Sequence, residues 1–388
     1  MTGPNVTTQV WTTAHLAALA SPTETLSFVP QPLAFSAQTV RQAVRLRRGG
    51  SQVRIVLSNQ FGRVPLTIDQ VVLGHADASN VVPALCQDSA RWEIRPGATA
   101  TSDPVALSTQ AGDELVITCF ISGHAAPAAF LHSAQRTGRV APGNQVHEVR
   151  LVNTEAFTSL YWIERVLVDE PASGPVIVCL GDSITRGDGT SVDRDQRYPD
   201  HLQRRLLEAG NDRAAVLNAG IGANRLLRPG VGPSMTDRFA RDVLGVAEAT
   251  HVLIMGGVND IVLPFLFGEQ RPTADEIIGG LFAIARQAQQ HGIQPMLGTI
   301  TPFLGSRYES FRAHGNEDIR RAVNHALRTQ EDWPVVNFAA ALAAPEDPTQ
   351  LALAFDSGDG VHPGDDGSQA LANAIELTTF NRKPDLSP

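Results

Sequence analysis

Cysteine is scarce in this chain. Three residues, Cys86, Cys119 and Cys179, are spread over 388 positions, and each stands among apolar neighbours. That number and spacing exclude a disulfide framework, so all three are expected to be small buried hydrophobes rather than redox or metal groups. Positive charge is also short. With 31 Lys+Arg against 40 Asp+Glu the net charge is -9, and no local run offers a basic stripe that could track phosphates, which excludes nucleic acid as a partner. Long apolar runs are missing, so no segment is expected to span a bilayer. Residues 1–20 have neither a positive n-region nor an apolar h-region. No signal peptide is therefore expected, and the compartment stays open between secretion after processing and the cytoplasm. The 11 histidines lack metal-ligand spacing, so no metal and no cofactor are expected. Internal repeats and low-complexity segments are absent.

What is present is chain enough for two domains, with 43% hydrophobic and 18% charged residues, as in ordinary soluble globular proteins. Residues 1–172 read as an all-β sandwich, jelly-roll-like. Runs rich in Val, Ile and Leu at 42–48, 52–58, 66–73 and 114–121 are separated by turn signals such as Gly49-Gly50 and Ala111-Gly112-Asp113. Trp11, Trp92 and Trp162 belong either to its core or to a carbohydrate-binding face. A polar stretch with proline and glycine, 169–175, predicts the boundary to a second domain, 173–388. The halves differ in charge: residues 1–172 hold 12 basic and 13 acidic residues, the remainder 19 and 27.

Beyond the boundary, strands alternate with helices. Strands are predicted at 176–180, 214–218, 251–255, 293–299 and 335–338, and helices at 199–209, 274–291 and 319–329. Ile277, Leu281, Ile284 and Ala288 recur at helical spacing and form a core face. Five strands joined by crossover helices imply a parallel, three-layer α/β domain.

Four spots at the ends of these elements carry the chemistry. Gly181-Asp182-Ser183 follows the first strand, a continuously apolar one. Asn218-Ala219-Gly220-Ile221-Gly222-Ala223-Asn224 follows the second. Gly256-Gly257-Val258-Asn259-Asp260 follows the third. Asp359-Gly360-Val361-His362 lies near the C-terminus. Such positions face the crevice beyond the carboxyl ends of the strands, where α/β sheets bind ligands. Ester hydrolysis needs a serine, a histidine to take its proton, an acceptor that fixes the imidazole tautomer, and fixed donors for the oxyanion. Ser183, His362, Asp359, Asn259 and nearby backbone amides supply each part. Asp182 and Asp260 read as hydrogen-bond acceptors that fix loops, and His251 as structural.

In order and spacing these four blocks resemble the SGNH, or GDSL, esterase and lipase family over most of residues 175–380. The resemblance implies a flavodoxin-like fold with Ser183 as nucleophile, His362 as base and Asp359 as its orienting acid. It further implies an oxyanion hole formed by the Ser183 N–H, a second-block N–H and the Asn259 side chain. One block departs from the pattern: the family's glycine falls on Ala223, with Gly222 one residue early. The donor is a backbone N–H, which alanine supplies readily at negative φ and only at a cost in a left-handed conformation; either Ala223 donates, the reading favoured here, or the loop is shifted by one residue and Gly222 takes the role. Asn224 and Arg225, just past this loop, are candidates for substrate contact or for bracing the loop.

The expected activity is hydrolysis of short-chain acyl esters through an acyl-enzyme, with acetyl esters of carbohydrates as the preferred substrate class. A lipase or phospholipase, and a carbohydrate-binding protein with a vestigial site, are the alternatives. Residues 263–267, Leu-Pro-Phe-Leu-Phe, form either an apolar wall for the acyl group or a surface packed on the first domain. Oligomeric state and natural substrate are not legible.

Overall fold

In Phe35–Arg45 the side chains from Val40 onward alternate between core and surface, with Val40, Gln42 and Val44 turned inward, the period of a half-buried strand. It pairs antiparallel with Glu114–Ala125, Val40 opposite Cys119 and Val44 opposite Leu115. These two are the centre of a six-stranded sheet, and Val53–Ser58 and Ile163–Val168 are the centre of a four-stranded one. One core, including Val44, Ile55, Leu57, Ile117, Cys119, Trp162 and Val166, lies between the sheets. The computed structural model describes residues 10–381 apart from 24, 25, 28, 78 and 79. Residues 1–9, part of the segment read above as lacking a signal peptide, lie outside the described residues.

Trp92 and Trp162 are fully buried, and the Trp92 indole N–H donates to the Ala84 carbonyl at 3.0 Å. Neither can line a carbohydrate-binding face. Trp11 is partly exposed with the Arg54 guanidinium over its ring. Cys119 and Cys179 are buried free thiols, and burial pushes both up to about 12.

The second half is a parallel sheet of β1 (Val176–Gly181), β2 (Ala215–Gly220), β3 (His251–Met255), β4 (Gln294–Gly298) and β5 (Val335–Val336). Its spatial order is 2-1-3-4-5, that of flavodoxin-like folds. β1 has a strand on each side and helices over both faces, which is why its residues are all buried and all but the last apolar. Two clusters cover the sheet, one containing Val178, Ile254, Leu281 and Val323, the other Ile177, Leu202, Leu253 and Leu371. β5 is shorter than its pattern predicts: Asn337 caps the next helix and accepts from the Ala340 N–H, so Phe338 is helical. No helix among the described residues is long and apolar enough to cross a membrane.

Position in the chain and packing part company near the N-terminus. Leu16, Ala18, Ala20 and Val29 bury themselves in the α/β core rather than in the β-rich one. Charge joins the two halves as well, and all but one of the 31 basic residues are arginines. Arg45, Arg136 and Arg197 all reach Asp195, Arg47 pairs with Asp200, and Thr137 donates twice to Asp193 at 2.7 Å. Asp193, Asp195 and Asp200 belong to the stretch that leaves the Ser183 turn, so this stretch is moored to the β-rich domain. Asp195→Ala strips three guanidinium groups of a shared carboxylate and is expected to cost about 3 kcal/mol in urea unfolding. A loss below about 0.5 kcal/mol, the size of a neutral surface change, contradicts the mooring.

Candidate active site

Three strand ends and one distant loop build this site. At the end of β1, a side chain on Gly181 would overlap Thr185 and crowd the Met255 carbonyl, so glycine is required. Asp182 then caps α1 (Ser183–Arg186) by accepting from the Ile184 N–H at 3.0 Å. Ser183 is therefore the first residue of a helix at the carboxyl edge of the sheet. Strand order reverses between β1 and β3 there, which is where α/β sheets open a crevice.

His362 reaches Ser183 from a loop near the C-terminus. Its Nε2 lies 2.8 Å from Ser183 Oγ, and its Nδ1 lies 2.7 Å from Asp359 Oδ2. A carboxylate can only accept, so Nδ1 carries the proton and Nε2 presents its lone pair to the serine hydroxyl. Asp359 is fixed through its other oxygen by the N–H groups of Val361 and His362, at 2.9 and 2.8 Å. Asp356 organises the turn beneath, accepting from the N–H groups of Gly358, Asp359 and Gly360. Burial raises the Asp359 carboxyl, but the hydrogen bond to His362 and its charge outweigh it and hold the group at about 2. For His362 burial acts downward and is outweighed by the Asp359 hydrogen bond and the charges of Asp188, Asp359 and Asp182. The net direction is upward from 6.5.

The donor groups converge on the same edge. Among the described residues, the N–H groups of Ser183, Gly222 and Ala223 have no acceptor within the chain. Asn259, in α2 (Val258–Val262), spends one amide hydrogen on the Asn224 carbonyl at 2.9 Å, which fixes its side chain and leaves the second hydrogen for a ligand. Ala223 has a φ of +56°, so the expected condition for it, a negative φ, is not met. The reason lies one residue earlier, where a side chain on Gly222 would overlap the Arg186 guanidinium. Glycine is thus committed to close approach at 222, and alanine takes the left-handed turn at 223 at a cost of about 1 kcal/mol.

Asn224 and Arg225 are both engaged by other groups of the protein. Asn224 is fully buried, donating to the Val231 and Pro233 carbonyls and accepting from Arg238. Arg225 is buried and pairs with Glu269 at 2.6 Å and with the Pro229 carbonyl. These bonds make both residues braces of the loop, the second of the two roles expected for them. Asp260 accepts from the N–H groups of Leu226 and Leu227, and burial raises Asp182 and Asp260 to about 6. Residues 263–267 divide: Leu263 and Pro264 are buried, while Phe265, Leu266 and Phe267 are 55, 51 and 43% exposed, so these three are not packed on the first domain. Among the described residues no group of three or more His, Cys, Asp or Glu could hold a metal.

The residue that sequence reasoning missed is Arg238. It is fully buried and donates to the carbonyls of Gly181 and Ala219, both at 2.8 Å, to Asn224 Oδ1 at 2.9 Å and to Asp242 at 2.7 Å. One guanidinium thus joins the ends of β1 and β2 to the loop after β2. The signal available was an Arg and an Asp four apart within the apolar series Met235, Phe239 and Val243.

Residues 179–370 match the model of the GDSL-like lipase/acylhydrolase family. Among solved structures, a lipase/acylhydrolase from Enterococcus faecalis is 22% identical, with a TM-score of 0.42, covering 55% of this chain and 100% of its own. An aryl esterase from M. smegmatis is 18% identical, with a TM-score of 0.42, and covers 53% of this chain and 99% of its own. A carbohydrate acetylesterase from Sinorhizobium meliloti is 17% identical, with a TM-score of 0.42, at 52% and 96% coverage. No curated protein sequence matches the chain significantly.

Arg238→Met keeps most of the volume but abandons two strand-end carbonyls and weakens the pairing of Asp242. It is expected to lower stability by about 3 to 5 kcal/mol in thermal or urea unfolding, and Asp242→Leu added to it should restore part of the loss. A stability within about 0.5 kcal/mol of wild type contradicts the role given to Arg238.

Proposed function

We propose that the protein is a serine carboxylester hydrolase acting through an acyl-enzyme on short-chain acyl esters, with acetyl esters of carbohydrates as the preferred class. The observation that carries this reading is the unbroken line Ser183 Oγ to His362 Nε2 to Asp359 Oδ2, at 2.8 and 2.7 Å. His362 Nε2 takes the hydroxyl proton as Ser183 Oγ bonds to the ester carbonyl carbon. The C=O electron pair moves onto oxygen, facing the N–H groups of Ser183 and Ala223 and the Asn259 amide. Collapse breaks the bond to the alkoxy oxygen, to which His362 returns the proton, and the alcohol leaves. Water then repeats the sequence on the acyl-enzyme, with His362 again as base, and releases the acid. Each fixed donor is worth roughly 3 to 4 kcal/mol in the transition state.

Support for a short acyl group comes from Ala223, whose methyl stands beside the N–H offered to the oxyanion. Because the tetrahedral centre is held by fixed donors, it cannot shift to accommodate a branched or long chain. The exposed Phe265, Leu266 and Phe267 favour the second reading, an acylhydrolase of long-chain lipids. A p-nitrophenyl ester series separates the two. A kcat/KM that falls steeply beyond butyryl, with the fall relaxed in Ala223→Gly, supports the first, and a preference for palmitoyl supports the second.

Ser183→Ala should abolish hydrolysis of p-nitrophenyl acetate, and persistence of turnover overturns the reading. The pH profile follows from His362, which acts as base only when neutral. Since its pKa is displaced upward, kcat/KM should rise with pH to a midpoint above 6.5. Asp359→Asn removes the charge that favours the imidazolium, so the midpoint should fall while the rate drops by up to ~10⁴-fold. An acid limb unchanged in Asp359→Asn contradicts the assignment of Asp359.

A further inference from the structure

Arg186, Asp188 and His132 take no part in the scheme above, yet they meet beside it. Arg186 ends α1 and is buried. Its Nε and Nη2 grip Asp188 at 2.8 and 2.5 Å, while its Nη1 donates to the His132 carbonyl at 2.7 Å and lies 2.6 Å from His132 Nδ1. His132 comes from the β-rich domain, directly after Phe130–Leu131, and is buried. Burial and the Arg186 charge drive it down to about 2 against a hydrogen bond to the Gly222 backbone, so the neutral ring meets both Arg186 and the Gly222 peptide. The guanidinium covers Gly222 so closely that no side chain fits there, and Gly222 carries the peptide whose N–H belongs to Ala223.

We infer that Arg186 is a positioning residue of the hydrolytic site, clamped by His132, and that through it the β-rich domain fixes the Gly222–Ala223 peptide and neutralises Asp188 beside His362. The inference rests on the serine-hydrolase reading. His362 is faced by Asp359 from its own loop, by Asp182 from the turn before α1 and by Asp188 from the turn after it. Arg238 stands against Asp182, Arg307 near Asp359, and Arg186 against Asp188. Arg186 holds Asp188 with the Nε and Nη2 edge of its guanidinium while the same group lies over Gly222 in the donor loop, a double role that calls for a planar group of several donors. It also accounts for the displaced glycine: with Arg186 over position 222, the left-handed turn falls on 223.

Full-length Arg186→Gln, Arg186→Lys and His132→Ala test this, with kcat and KM for p-nitrophenyl acetate measured across pH and amide hydrogen exchange measured over residues 221–224. In Arg186→Gln, kcat should fall at least ~10-fold with KM within ~3-fold, as for loss of transition-state donors. Its acid limb should move to higher pH, because unpaired Asp188 favours the imidazolium. Arg186→Lys should keep the limb and recover only part of kcat. His132→Ala should lower kcat without moving the limb and speed exchange at 221–224. A folded Arg186→Gln with wild-type kcat and limb overturns the inference, as does His132→Ala with unchanged exchange. Should Arg186→Gln not fold, the lysine and His132 variants give the same readouts. Fluorophosphonate labelling of wild type reports separately on the hydrolase reading, and the exchange arm needs no turnover. An unlabelled wild type with faster exchange in His132→Ala therefore removes the hydrolase and keeps the clamp, whereas a labelled, active wild type with unchanged exchange removes the clamp alone.

Discussion

A single guanidinium buried under the carboxyl edge of the sheet, that of Arg238, is what the order of the site depends on. Strand ends are where backbone carbonyls run out of ladder partners, and buried ones must find donors elsewhere. Arg238 gives one to Gly181, one to Ala219 and one to Asn224, and its own charge is balanced by Asp242. The turn that carries Ser183 and the loop that carries the Ala223 N–H therefore have a common anchor. Lysine could not do this, since an ammonium has no planar fork to span three directions. Arg186 repeats the device one layer out, joining α1 and Gly222 to the β-rich domain. In a chain whose cations are arginines at all but one position, the donor groups of the site are held by buried arginines.

The charges around His362 follow from the same arrangement. Four carboxylates lie close to or behind it, and each is disposed of differently. Asp359 is held ionised by the imidazole and two backbone N–H groups. Asp182 is buried as a helix cap and raised to about 6. Asp188 is gripped by Arg186, and Asp356 is spent on the turn below. His362 is thus surrounded by carboxylates that are each engaged by other groups as well.

Much of this was legible in the sequence, because the relevant signals are local. The apolar run 176–180 ending in Gly181-Asp182-Ser183, and the helical repeat of Ile277, Leu281, Ile284 and Ala288, state their structure without help from elsewhere. The spacing of Asp359 and His362 likewise fits one turn of chain. What escaped is whatever depends on groups distant in sequence. Nothing near Asn224 and Arg225 says on which side of the loop they emerge; that is decided by Arg238 and Glu269. The need for glycine at 222, next to the left-handed Ala223, is set by an arginine from another element. Strand β5 ended early because Asn337 prefers to cap a helix, a local signal outvoted by the apolar pattern around it. The burial of Leu16, Ala18, Ala20 and Val29 against the α/β core could not be seen from their composition.

In the proposed mechanism Ser183 Oγ carries the acyl group, and that can be observed directly. The intact protein is mixed with p-nitrophenyl acetate, quenched in acid within the first turnover and digested for mass spectrometry. The account expects a burst of p-nitrophenolate and one acetyl group on the peptide that contains Ser183. Turnover with no acetylated peptide under conditions where deacylation is slow, or an acetyl group on any other residue, contradicts it.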